Sequence, residues 1–136
     1  MKELTLLATT ENIDRVIDFV NEELENNSCP LKTKLTLDVA IDEIFANIAN
    51  YAYAPNTGEV TIKVEFTENP KGCAITFIDG GTPYDPLKKD DPNVKLSAVE
   101  REIGGLGVFI VKKSMDNVEY EYKNNKNILK ITKLYS

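Results

Sequence analysis

One segment limits every fold open to this chain. From Pro30 to about Ala52 the apolar residues Leu37, Ile41, Ile44, Ile48 and Ala52 recur at helical spacing and mark a single buried stripe. A helix running from about Leu31 to Ala52 is a central core element, and the rest of the chain must pack around it. Upstream, KELTLLA at 2–8 alternates weakly as a strand. Thr9 or Thr10 then stands where it can cap a helix carrying Ile13, Val16, Ile17, Val20 and Leu24 on one face, and NNSCP ends that helix. Downstream, helical spacing gives way to alternation in GEVTIKVEFTE at 58–68 and GCAITFIDG at 72–80, joined by the turn residues Asn69, Pro70, Lys71 and Gly72.

Residues 81–103 hold Pro83, Pro86, Pro92 and the run KKDD without sustained periodicity until a short turn around Ser97 to Glu102. Irregular stretches of that length inside a compact domain are usually functional, and a lid over a site at about 82–103 is the expectation. A helix from about Gly105 to Ser114 follows, and then two closing strands, VEYEYK and ILKITKLY, with NNKN as their turn. This order predicts an α+β, two-layer sandwich: a mainly antiparallel (mixed) sheet with helices on one face. With 136 residues, 42% hydrophobic, the chain reads as a single domain over 1–136.

Charge and composition remove several function classes. With 22 acidic against 16 basic side chains the net charge is −6, so attraction to phosphate backbones does not drive its function and no direct nucleic-acid ligand is expected. No run approaches the roughly 18 apolar residues of a membrane span, and MKELTLLATTENIDR lacks a signal h-region and cleavage site. A cytoplasmic protein is expected. Cys29 and Cys73 sit in unlike contexts and read as reduced thiols. The chain has no histidine, which excludes serine-histidine-acid and cysteine-histidine catalysis and leaves carboxylate, lysine or tyrosine as general base.

Three stretches carry chemistry. In LDVAIDEIFANIANYAY, Glu43, Asn47 and Tyr51 are spaced i, i+4, i+8 and form a ridge beside the apolar stripe. That ridge fits a solvated helix face. It also fits a proton-accepting carboxylate one turn from an amide oxygen able to ligate Mg²⁺. In FIDGGTPYDP, Asp79 ends an apolar strand, and Gly80 and Gly81 let another group approach the backbone. The stretch reads as a turn, or as a carboxylate accepting a hydrogen bond from an exocyclic amine such as adenine's. EREIGGLGVFIV at 100–111 matches neither GxxxxGK[ST] nor GxGxxG. Its glycines feed a helix amino terminus, which is either a packing device or an anion cradle.

Taken in order, the three stretches resemble the asparagine box and the two glycine boxes of the GHKL (Bergerat-fold) ATP-binding superfamily. Within it, DEIFANIANYAY, DGGTPYDP and GGLGVFIVKKSMDNVEY are similar to the bacterial anti-sigma factors that are serine-protein kinases. The resemblance implies a regulator that uses ATP and Mg²⁺ to phosphorylate a serine of a STAS-type anti-sigma-factor antagonist and that sequesters a sigma factor. It implies Glu43 as general base, Asn47 as Mg²⁺ ligand, and Asp79 on the adenine amino group. The nucleotide-binding set it implies is Asn47, Asp79, Gly81, Tyr84, Gly104, Gly105, Leu106 and Gly107. Arg15 stands where the family places a partner-contacting arginine, and its plain alternative is a surface charge. A homodimer is the family's usual assembly. The lid cations Lys88, Lys89, Lys95 and Arg101 can help offset triphosphate charge or serve solubility alone. The rival reading is a nucleotide-gated binding module that never transfers phosphate, and a third is a structural α+β domain with decayed boxes. The chain departs from the family at Tyr51, where a histidine is usual, at Lys126-Asn127, where Gly-Thr is usual, and at Gly80, which should loosen its turn. Gly107→Val is expected to abolish ATP binding while leaving the fold intact.

Overall fold

The computed structural model describes residues 1–85 and 105–135. Its elements are β1 (Lys2–Leu7), a 3₁₀ turn (Thr10–Asn12), α1 (Ile13–Asn26), α2 (Leu31–Asn47) with a π-helical turn (Ile48–Ala52), β2 (Glu59–Thr67), β3 (Gly72–Asp79), α3 (Gly105–Ser114), β4 (Asn117–Lys123) and β5 (Lys126–Leu134). Most of the lid at 82–103, with its four cations and the turn around Ser97, lies outside the described residues. Among the described residues no helix is long and apolar enough to cross a membrane.

Five strands form one sheet in the order β1-β2-β3-β5-β4. All four pairings are antiparallel, so the described sheet has no mixed component. Register follows from the alternation. Leu6 pairs with Val60, Ile62 with Phe77, and Ile75 with Ile131, so one face of every strand turns its apolar residues toward the helices. A slip of one residue would put that whole row in water, which is why the register is strongly specified. Two polar residues continue the same inward row, because Asp79 lies directly opposite Asn127.

The helices meet this face as their spacing dictates. Val16, Val20 and Leu24 of α1 are fully buried, and Leu37, Ile41, Ile44 and Ile48 form the stripe of α2. Contact with both α1 and α3 makes α2 the central helix. Fully burying each such side chain is worth about 1.5–3 kcal/mol. Thr9 stands at the start of the 3₁₀ turn but makes no side-chain cap, and Asn12 instead donates its amide to the Leu7 carbonyl at 2.8 Å.

Two local departures shape the site. The connection between β4 and β5 is two residues, Asn124 and Asn125, both in the left-handed region (φ 54° and 62°). That is the geometry a tight hairpin favours, and asparagine tolerates it. Lys126 and Asn127 therefore belong to β5 and not to the turn, as NNKN had suggested. The second is the π-helical turn at Ile48–Ala52, a feature common near functional sites. Its last carbonyl, Ala52, accepts the Thr82 N–H at 2.8 Å and so ties the end of α2 to the segment leaving β3.

Candidate functional site

A cavity of about 330 Å³ opens between the helices and the β3-β5-β4 edge of the sheet. From α2 and its π turn come Ile44, Asn47, Ile48, Tyr51 and Ala52, and from α3 come Val108, Val111 and Lys112. Val118, Tyr120, Leu129 and Asn127 form the sheet side, and Asp79 with Thr82, Pro83 and Tyr84 closes the end. The walls are largely aliphatic and aromatic with few polar groups, as small-molecule sites usually are, and the volume lies at the small end of their range.

At the sheet end the polar groups are tightly ordered. Asp79 is only 5% exposed, a position where a carboxylate needs partners. Its Oδ1 accepts the Gly81 N–H at 2.9 Å and the Asn127 amide at 3.0 Å. Gly81 itself has no room for a side chain, since an added Cβ would collide with the Ala52 carbonyl, with its carbon at 2.5 Å. Gly80 is pinned and not loosened: its N–H donates to the Tyr53 hydroxyl at 2.6 Å, and that hydroxyl donates to the Glu59 carbonyl at 2.6 Å. Burial pushes the Tyr53 phenol up, against the opposing pull of the Gly80 N–H. Tyr120 is likewise pushed up by burial, and its hydroxyl donates to Asn127 Oδ1.

At the helical end, half-buried Glu43 faces α3. A Cβ placed on Gly107 would stand 2.5 Å from Glu43 Oε2. The two motifs thus meet directly, and the lack of a side chain at Gly107 makes room for a carboxylate. This redirects the expectation for Gly107→Val, whose first collision is with Glu43. Glu43 does not itself line the cavity, whereas Asn47 and Tyr51 of the same ridge do. Gly105 and Leu106 lie in the first turn of α3, and Gly104 falls outside the described residues. Arg15 is exposed on α1 and is not among the cavity residues. The fold therefore gathers Asn47, Asp79 and Tyr84 at one cavity, with Gly81 outside its lining but hydrogen-bonded to Asp79, and with Glu43 and Gly107 in contact beside it, and leaves Arg15 outside.

Sequence reasoning missed Lys112 and Tyr120. Helical spacing from Val108 could have placed Lys112 on the cavity face, and the alternation of VEYEYK could have turned Tyr120 inward. Among the described residues no three His, Cys, Asp or Glu side chains gather as a metal cluster.

Comparison with known proteins fits this geometry. The serine/threonine-protein kinase BtrW of Bordetella bronchiseptica is 24% identical over 101 residues, covering 74% of this chain and 70% of that protein. Residues 6–133 match the histidine kinase-like ATPase domain, a span that takes in every wall of the cavity. This chain belongs to the histidine kinase-like ATPase domain family.

Proposed function

We propose that the cavity binds Mg·ATP and that the protein transfers the γ-phosphoryl group to a serine of a STAS-type anti-sigma-factor antagonist, while also holding a sigma factor. The observation that carries the reading is the placement of Glu43 against Gly107, beside a cavity whose far end is the buried Asp79 carboxylate. In this reading Asp79 accepts a hydrogen bond from the adenine amine, which orients the base. Phosphates then extend toward the start of α3, and backbone N–H groups there favour anions. The serine oxygen attacks the γ-phosphorus, the bond to the β,γ-bridging oxygen breaks, ADP leaves, and Glu43 takes the serine proton. Asn47, which lines the cavity, would hold Mg²⁺ through its amide oxygen, a donor set that fits an ion needing few protein ligands, and the ion would supply charge neutralisation. Arg15, exposed on α1, is assigned to the partner surface.

The rival is a nucleotide-gated module that never transfers phosphate, and the absence of Glu43 from the cavity lining is what favours it. Calorimetry with Mg·ATP and incubation with labelled ATP and the antagonist decide the matter. With Glu43→Ala the kinase reading expects retained ATP binding and no phosphoserine on the antagonist. Unchanged partner regulation by that variant would establish the module. No heat of binding for the unaltered protein would remove both.

A further inference from the structure

Asn127 stands where the family pattern has the threonine of Gly-Thr, yet the structure gives it a definite task. It is 6% exposed and lies opposite Asp79 across the β3–β5 ladder. A carboxamide offers two donors and two acceptor lone pairs, and here all are engaged. Nδ2 donates to Asp79 Oδ1 at 3.0 Å and to the Thr82 carbonyl at 3.0 Å, with the Gly81 carbonyl at 3.4 Å. Oδ1 accepts the Tyr84 N–H at 3.2 Å and the Tyr120 hydroxyl. No capacity remains for a hydrogen bond to a ligand. Asp79, by contrast, receives both of its hydrogen bonds on Oδ1, and among the described residues no donor reaches Oδ2.

We propose that Asn127 is the positioning residue of the base-binding end of the cavity. Its carboxamide locks Asp79 so that Oδ2 alone is left to accept from the base, and it clamps residues 81–84 beside it. The nucleotide contact that the Gly-Thr pattern would supply is replaced by a contact one step removed. This rests on the reading that the cavity takes ATP.

The test measures Mg·ATP affinity by calorimetry for wild type, Asn127→Asp, Asn127→Ala and Asn127→Thr at pH 6 and pH 8.5, with folding checked by near-UV circular dichroism. Removing a donor to a carboxylate should weaken binding by about tenfold or more in Asn127→Ala. Asn127→Asp keeps the shape but sets two carboxyl groups about 3 Å apart, which share a proton and separate their ionisations widely. Its affinity relative to wild type should be close to normal at pH 6, where that proton bridges to Asp79, and about tenfold or more worse at pH 8.5. Asn127→Thr, which restores a donor, should recover part of what alanine loses at both values. A variant-to-wild-type ratio for Asn127→Asp that does not change with pH overturns the proposal, because loss of packing alone is indifferent to pH. Affinities within twofold of wild type for folded Asn127→Ala also overturn it. A wild type that binds no ATP removes the underlying reading, and that outcome is recognised without any variant.

Discussion

Gly107→Ala separates folding from phosphoryl transfer more sharply than removal of Glu43 does. The added Cβ would lie 2.5 Å from Glu43 Oε2, 3.4 Å from its Cδ and 3.6 Å from its Cβ. Ordinary contact begins at 3.4 Å, so the carboxylate oxygen must retreat by about 0.9 Å while the stem can stay where it is. That shift, taken up by the terminal torsions of a flexible side chain, costs about 0.5–1.5 kcal/mol. Alanine in a helix regains about 0.5–1 kcal/mol over glycine, so net stability should change by less than about 1 kcal/mol, or roughly 4 °C in Tm. Transfer should respond differently. A misplacement of about 1 Å in a catalytic constellation can cost about 10²-fold, or about 2.7 kcal/mol of barrier. Single-turnover transfer of labelled γ-phosphate to the antagonist, measured beside calorimetric Mg·ATP binding and a melting curve, reads all three quantities. The expected result is a rate about 100-fold lower with affinity altered by less than one decade and Tm nearly unchanged. A rate within threefold of wild type would refute Glu43 as the proton acceptor, and a melting temperature lower by more than about 10 °C would show that the contact belongs to the core.

Gly81→Ala should be costlier to the fold, because the obstruction is the Ala52 carbonyl and its carbon at 2.5 Å, which cannot swing aside. A loss of about 1–3 kcal/mol in denaturant titration is expected, together with weaker ATP binding as the Gly81 donor to Asp79 shifts; an unchanged midpoint contradicts this. Tyr53→Phe removes the hydroxyl that joins Gly80 to Glu59 and should cost about 1–3 kcal/mol by the same titration. Alkaline pH should destabilise the fold. Burial pushes the Cys73 thiol up to about 12 from 9.0, so between those values the unfolded chain binds fewer protons than the folded one. Stability falls through that window by up to about 1.4 kcal/mol per pH unit for this group, and Cys73→Ala should flatten the slope. Tyr53, Tyr120 and Tyr135, all pushed up by burial, act in the same direction.

The parts legible in the sequence are those set by short-range pattern. Alternation in 58–68 and 72–80 specified both the strands and their buried face, and helical spacing identified Leu37, Ile41, Ile44 and Ile48 as core. What escaped was set by contacts far along the chain. The four polar residues NNKN carry no sign of where the turn stops, since Asn124 and Asn125 suffice for the reversal and only pairing with β3 draws Asn127 into the sheet. Its partner Asp79 is 48 residues away, beyond the reach of any local pattern. The π-helical turn at Ile48–Ala52 is equally silent, because its apolar spacing is that of an ordinary helix and its carbonyl is claimed by Thr82 from another segment. The contact of Glu43 with Gly107 needed both motifs, and neither implied it alone.

The polarity of the two ends orients the proposed ligand without reference to any bound molecule. At the sheet end Asp79 has only neutral N–H donors on Oδ1, and its free oxygen can accept a hydrogen bond but repels an anion. A triphosphate is therefore excluded there, whereas an amine-bearing base is welcome. The aliphatic and aromatic walls between Ile48, Val111 and Leu129 suit a flat apolar ring better than a charged chain. The phosphates are left the helical end, where α3 begins, but Glu43 is also there. Two like charges in one partly buried site are costly. Under the proposed reading this is the physical demand for a divalent cation: Mg²⁺, which Asn47 would help to hold, would supply the charge neutralisation, while Glu43 stands beside the cavity as the acceptor of the serine proton. An acidic protein can thus handle an acidic nucleotide, because its net charge of −6 matters less than which oxygens face each end of one cavity.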